Sequence, residues 1–272
     1  MSAKLNWPLN SSSIEHLDCE RHRVSILLLH WQKKQHILAS LRKAEQNIFV
    51  PSGLARGFLK SFLKPAPEPS TFNKKVREPG RDFLKNLGIT KQGDVADNIP
   101  WDKARFWAKC YKELDSAYNY ICCYVGMRIN NSSNRFESHS VEHFIPKSIN
   151  PWLAYEWDNY RLACRKANSD RDKKPVIDPF LVGPDDFRLD LFTQKLFPNP
   201  ILSKQKQQEV KDTIDNIDLN CDYWVKNGQN YYCEYLKMES EEEGRKYLQK
   251  NAPILLAELL RPSQKTTVVE DV

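Results

Sequence analysis

The chain has 272 residues, a net charge of +6, an apolar fraction of 40% and a charged fraction of 28%, values that fit a globular protein with room for one large or two small cores. No apolar run approaches the length of a bilayer span, and residues 1–10 lack a signal-peptide core, which argues against membrane and exported classes. Seven cysteines, an odd number without framework spacing, predict reduced thiols in the cytoplasm and not a disulfide scaffold.

Taken in chain order, Ser12 and Glu15 form a capping box that predicts a helix through Leu27, Trp31, Ile37 and Leu41 to about Asn47. His16, Cys19, His22, His30 and His36 fall on it, but their spacing does not gather four metal ligands on one face. A short helix follows over residues 54–63. The stretch KPAPEPS, residues 64–70, then reads as an extended linker because its prolines forbid helix. Residues 81–87 look helical and lead into a polar loop through Gly93 and Asn98. From Pro100 the positions Ala104, Trp107, Tyr111, Leu114, Tyr118 and Ile121 recur at steps of three and four, predicting one long helix that ends at Cys122.

Residues 141–145 and 160–164 read as two short strands, with a helix opened by Asn168 behind them. Trp152, Tyr155, Trp157 and Tyr160 are expected to pack around this unit, and His139 to be solvated in a polar loop. Downstream, Phe187, Leu189 and Leu191 alternate as a short strand. Ser203 caps a helix with an apolar stripe at Val210, Ile214 and Ile217, Ser240 with Glu243 is another capping box, and residues 254–260 close the fold. Three segments are expected: an N-terminal helical extension and linker over 1–69, a main domain over 70–262 whose core is about 122–176, and a disordered tail over 263–272.

The chemistry concentrates between Ser140 and Lys174. Glu142 and His143 are adjacent, Asn159 sits in a turn-like context, and Asn168 follows among basic residues. Phosphodiester hydrolysis needs a base to make the nucleophile and a cation to neutralise charge growing on the phosphorus oxygens. His143 can be the base, since an imidazole with an ordinary pKa is largely free at neutral pH. Glu142 and Asn168 offer hard oxygens suited to one Mg²⁺ or Mn²⁺ ion. Asn159 stands where an amide could pin the loop that holds the His143 ring.

Basic charge is uneven: residues 1–135 carry 22 Lys and Arg against 12 acids, whereas 136–272 carry 19 against 23. Positive potential in the first half would steer a polyanion towards the site. Near the motif, Lys147, Arg161, Arg165, Lys166, Arg171, Lys173 and Lys174 are the cations expected to meet phosphate, with Lys147 and Arg171 foremost.

Over VEHFIPKS, EWDNYRLAC and the Asn168 region the sequence resembles the HNH endonuclease family, in the variant with Asn at the last position (HNN). The resemblance implies an α+β, mainly helical protein in which a ββα-metal finger is embedded in a helical domain. It makes His143 the general base, Glu142 and Asn168 the metal ligands, and Asn159 structural. EHFIPKS, AYEWDNYRLAC and VIDPF, with REPGRDFL upstream, are similar to the PtuB-type HNH subunits of Septu and retron anti-phage systems, over residues 71–202. Many relatives bind a structural zinc through two CxxC pairs. The matching places here read Cys122, Cys123, Tyr124, Val125 and Cys164, Arg165, Lys166, Ala167, which leaves too few thiolates for a Cys₄ site, so packing is expected in place of zinc.

Further implications of the resemblance are an ABC-type ATPase partner and, for the retron kind, a reverse transcriptase with its RNA-DNA product. No GxxxxGK[ST] loop is present, so ATP-dependent control would come from another chain. DNA is the expected substrate. Cleavage of RNA such as tRNA, and a non-catalytic nucleic-acid adaptor for an ATPase, are the alternatives that the motif leaves open.

Overall fold

The computed structural model describes residues 64–261. The predicted helices before residue 64 and the tail after residue 262 lie outside them. A π-helical turn, Asn73–Arg77, runs into α1 (Glu78–Lys85). Two 3₁₀ turns, Trp101–Lys103 and Phe106–Cys110, precede α2 (Tyr111–Ala117). Strand β1 (His139–His143) and strand β2 (Tyr160–Cys164) are separated by 3₁₀ turns at Pro151–Tyr155 and Trp157–Asn159, and β2 leads directly into α3 (Arg165–Arg171). After them come β3 (Phe187–Leu189), β4 (Leu196–Pro198), α4 (Lys204–Ile217), α5 (Asp222–Lys237), α6 (Glu241–Asn251) and α7 (Pro253–Leu259). The described chain is α+β and mainly helical, with two small antiparallel sheets, β1–β2 and β3–β4.

All five residues of β2 are buried, because α2 and α3 both pack near it. Covering both faces removes Leu162, Ala163 and Cys164 from water, and a fully buried Leu alone stabilises by roughly 2 kcal/mol. The register pairs Glu142 with Arg161 and His143 with Tyr160. Helix α4 follows its sequence signals closely. The Ser203 hydroxyl accepts the Lys206 amide at 3.3 Å, Val210, Ile214 and Ile217 are buried, and Asp218 ends the helix in a left-handed conformation. Ser240 caps α6 in the same way through the Glu243 amide.

The long helix predicted from Pro100 to Cys122 is not continuous. Only Tyr111–Ala117 is α-helical, and Asn119 and Tyr120 take positive φ. The reason is tertiary: the Tyr155 hydroxyl donates to the Ala104 carbonyl at 2.9 Å, while Trp101 and Trp107 turn their rings towards Tyr155 at 6.4 and 6.0 Å. Burying three large rings together outweighs a few helical hydrogen bonds. Helix α3 also begins earlier than expected. Its N-cap is Cys164, whose sulfur accepts the Ala167 amide at 3.3 Å, so Asn168 lies within the helix.

The proline-rich segment is extended but is stitched to the domain. The Ala66 amide donates to the Tyr118 hydroxyl at 3.0 Å, and the Trp157 indole donates to the Ala66 carbonyl at 2.7 Å. Among the described residues no helix is long and apolar enough to cross a membrane.

Candidate active site

Strand β1 ends at the acid–histidine pair, and α3 lies against both strands. Asn168 and Arg171, three residues apart, share the face of α3 that meets β1. The Asn168 amide nitrogen donates to the Ser140 hydroxyl at 3.0 Å and to the Val141 carbonyl at 3.3 Å. Arg171 donates to Glu142 Oε1 at 2.6 Å, to the His143 carbonyl at 3.1 Å and to the Phe144 carbonyl at 2.6 Å. One turn of helix therefore clamps the end of β1.

The His143 ring is buried edge-on between Trp107 (4.9 Å between ring centres) and Tyr160 (5.2 Å). Its Nε2 is 3.1 Å from the Ala154 carbonyl oxygen. A carbonyl only accepts, so Nε2 carries the proton and Nδ1 is the free acceptor of the neutral ring. Burial, helped by the nearby Lys147 charge, lowers the His143 pKa to about 3, which keeps the imidazole neutral across the physiological range. Glu142 moves the other way. Burial raises its carboxyl to about 7, against the opposing pull of Arg171.

Asn159 precedes β2 and spans the intervening loop. Its amide oxygen accepts the Ile145 amide at 2.7 Å, and its nitrogen donates to the Ile145 and Leu153 carbonyls, both at 3.0 Å. The loop that supplies Ala154 to His143 is thereby tied to the end of β1. Trp157, Tyr155 and Tyr160 are buried in packing as expected, and Trp152 carries the Arg81 guanidinium on its ring. His139 is not solvated in a loop: it is a β1 residue, stacked on Tyr111 and 2.7 Å from the Asp115 carboxylate.

Each of the three predicted chemical residues is held by one atom and open at another. Among the described residues, Glu142 Oε2, His143 Nδ1 and Asn168 Oδ1 have no hydrogen-bond partner, and none of them is among the polar atoms sealed from solvent without one. The two oxygens are the donor type that Mg²⁺ or Mn²⁺ prefers. No three His, Cys, Asp or Glu side chains gather as a metal cluster among the described residues. A hard ion at Glu142 and Asn168 would complete its shell with water and phosphate oxygens. Around the carboxylate the charges are mixed: Arg171 and Lys147 act on Glu142, while Asp172 and Arg105 act on Lys147 with opposite sign.

The basic residues divide sharply. Arg161 is buried, bonded to both Asp178 oxygens at 2.9 and 2.7 Å and to the Asp158 and Tyr160 carbonyls. Arg171 is spent on β1 as described. Lys166 pairs with Asp170 and Asp218. Arg161 and Arg171 are committed inside the fold and Lys166 is taken up by acids at its surface, whereas Arg165 and Lys173 are exposed. Lys147 is half-buried, its amine 5.6 Å from the Trp107 ring centre and 5.9 Å from that of Trp101. The sequence did not single out Tyr124, whose hydroxyl approaches Glu142 Oε1 at 3.4 Å, or the Ala154 carbonyl. A backbone acceptor leaves no side-chain signal. Arg171 as partner of Glu142 was readable from its position one helical turn after Asn168.

The cysteines pack tightly. Cys122 and Cys164 are buried, with the Cys122 sulfur accepting the Cys164 amide at 3.3 Å, and Cys123 donates its amide to the Leu162 carbonyl at 2.8 Å.

No protein-family model matches the chain. It is similar to the Septu protein PtuB of Bacillus thuringiensis, 31% identical over 121 residues, which cover 42% of this chain and 43% of that protein. The chain thus aligns with less than half the length of this curated relative, and over that stretch the relationship is PtuB-like, as the motif strings indicated.

Proposed function

We propose that the chain is a metal-dependent endonuclease of the HNN type that hydrolyses phosphodiester bonds in DNA within a bacterial anti-phage defence system. The observation that carries this reading is the trio of anchored, open acceptors at Glu142, His143 and Asn168. In this reading β1, β2 and α3 are the ββα-metal finger, and Glu142 with Asn168 would hold one Mg²⁺ or Mn²⁺ ion. The ion would supply positive charge against the phosphorus and leaving oxygens. His143 Nδ1 would take the proton of the attacking water. Burial makes it a weak base on its own, and an anionic phosphate beside the ring would favour its protonated form while the Nε2 hydrogen bond to Ala154 steadies it. Asn159 acts as a positioning residue through the loop it ties. Cys122, Cys123 and Cys164 serve as packing, without zinc. Arg165, Lys173 and Lys147 meet phosphate.

Similarity to a Septu protein supports the defence role and a partner protein, which we take to be an ABC-type ATPase, with a reverse transcriptase and its RNA-DNA product where the system is of the retron kind. The cytoplasm is the proposed compartment. The test is incubation of the purified protein, with its operon neighbours, against plasmid, linear DNA and total tRNA in Mg²⁺ and in EDTA. Cleavage of DNA in Mg²⁺ alone supports the reading, tRNA cleavage moves the substrate to RNA, and no cleavage leaves an adaptor. His143→Ala should slow cutting roughly 10²- to 10⁴-fold with the fold intact. A variant that cuts normally removes His143 as the base, and an Asn168→Ala variant with unchanged Mg²⁺ dependence removes that ligand.

A further inference from the structure

With Arg161 and Arg171 spent inside the fold and Lys166 paired with Asp170 and Asp218, the unpaired cations near the site lie elsewhere. The segment Trp101–Cys110, broken into two 3₁₀ turns, presents Lys103, Arg105 and Lys109 to solvent. None of the three has an acidic partner among the described residues. The same segment supplies Trp107, whose ring touches His143, and Lys147 is seated on the Trp101 and Trp107 rings. Lys109 lies 5.1 Å over the half-buried Phe106 ring.

We propose that Lys103, Arg105 and Lys109 form, with Lys147, a phosphate-tracking arm that carries the backbone of a nucleic acid to the His143 side of the site. Three unpaired cations on a segment docked against the base candidate complement a polyanion, and an acidic protein surface would not need them aligned with a hydrolytic centre. The arm deepens the nuclease reading and rests on it for the location of the reacting phosphate. Its binding function is measurable without cleavage.

The experiment uses the full chain in EDTA with fluorescent duplex and single-stranded DNA, titrated with salt. Each phosphate contact contributes about 0.9 to the log-log salt slope on duplex and about 0.7 on single strands. The triple variant Lys103→Gln, Arg105→Gln, Lys109→Gln should therefore flatten the slope by roughly 2 to 3 and weaken low-salt binding at least about tenfold. The comparison variant Lys204→Gln, Lys226→Gln, Lys250→Gln removes the same charge from α4, α5 and α6 and should leave the slope within about 0.5 of the parent. Equal slopes for the parent and the first variant, an equal loss in the second, or no DNA binding by the parent would overturn the arm. Parent binding that depends on the arm, but without cleavage in Mg²⁺, would sink the nuclease reading and leave the arm standing.

Discussion

Arg171 and Glu142 form a buried ion pair, 2.6 Å from Nη1 to Oε1, and the same guanidinium also ties down the His143 and Phe144 carbonyls. Replacing Arg171 with Met would leave Glu142 buried without its counter-charge, so that it must take up a proton at neutral pH, and would release two carbonyls. Removal of one member of a buried pair costs about 3 to 5 kcal/mol. Urea unfolding should show a loss of that size, and the double variant Arg171→Met, Glu142→Leu should recover much of it. A single variant as stable as the parent would show that water, and not Arg171, balances Glu142.

Asn159 makes three hydrogen bonds across the loop before β2, so Asn159→Ala removes the side-chain partner of the Ile145 amide and of the Ile145 and Leu153 carbonyls, all partly buried. We expect a loss of about 3 kcal/mol in unfolding free energy. Because the loop presents Ala154 to His143, the variant should also reduce the proposed DNA cleavage by more than its folded fraction explains, read as kcat per folded molecule.

Two opposed titrations predict the pH dependence of the metal-free protein. His143 has a folded pKa lowered to about 3, below the ordinary 6.5, so its contribution to stability disappears as pH falls from 6.5 towards 3. Glu142 has a folded pKa raised to about 7, above the ordinary 4.5, so stability declines as pH rises from 4.5 through 7. Between pH 4.5 and 6.5 the two slopes cancel and the parent should be nearly flat. Glu142→Gln removes one of them, and its stability in EDTA should rise with pH over that window by up to about 1.4 kcal/mol per unit. A flat profile for the variant would show that His143 titrates in the folded state near its free value.

Gly80 lies against the Tyr155 ring so closely that an added Cβ would stand 2.2 Å from its Cγ. The obstructing atoms belong to the ring itself, which is buried and bonded to Ala104, and it has no flexible end to withdraw. Gly80→Ala should cost about 3 kcal/mol, measured as a fall in Tm, and should disturb the Trp101–Trp107 fluorescence. A Tm equal to the parent's would show that the ring moves freely.

The caps at Ser203 and Ser240, the stripe on α4 and strand β2 were legible because each depends on residues within a few positions of one another. The order of Glu142, His143, Asn159 and Asn168 was legible as a set of side chains with suitable donors and acceptors. The broken helix between Pro100 and Cys122 was not, since its period of three and four is genuine and Tyr155, about fifty residues away, overrides it. Nor could a count of charges around the motif separate Arg161 and Arg171 from Lys103, Arg105 and Lys109.

By itself, then, the amino-acid order determined which chemical groups this protein possesses and where its local turns and caps begin. Tertiary packing decided which of them remain available. Asp178, the carbonyls at the end of β1 and the aromatic cluster under Lys147 come together only when distant segments meet, and a cation's freedom to bind phosphate depends on whether such a partner has already claimed it.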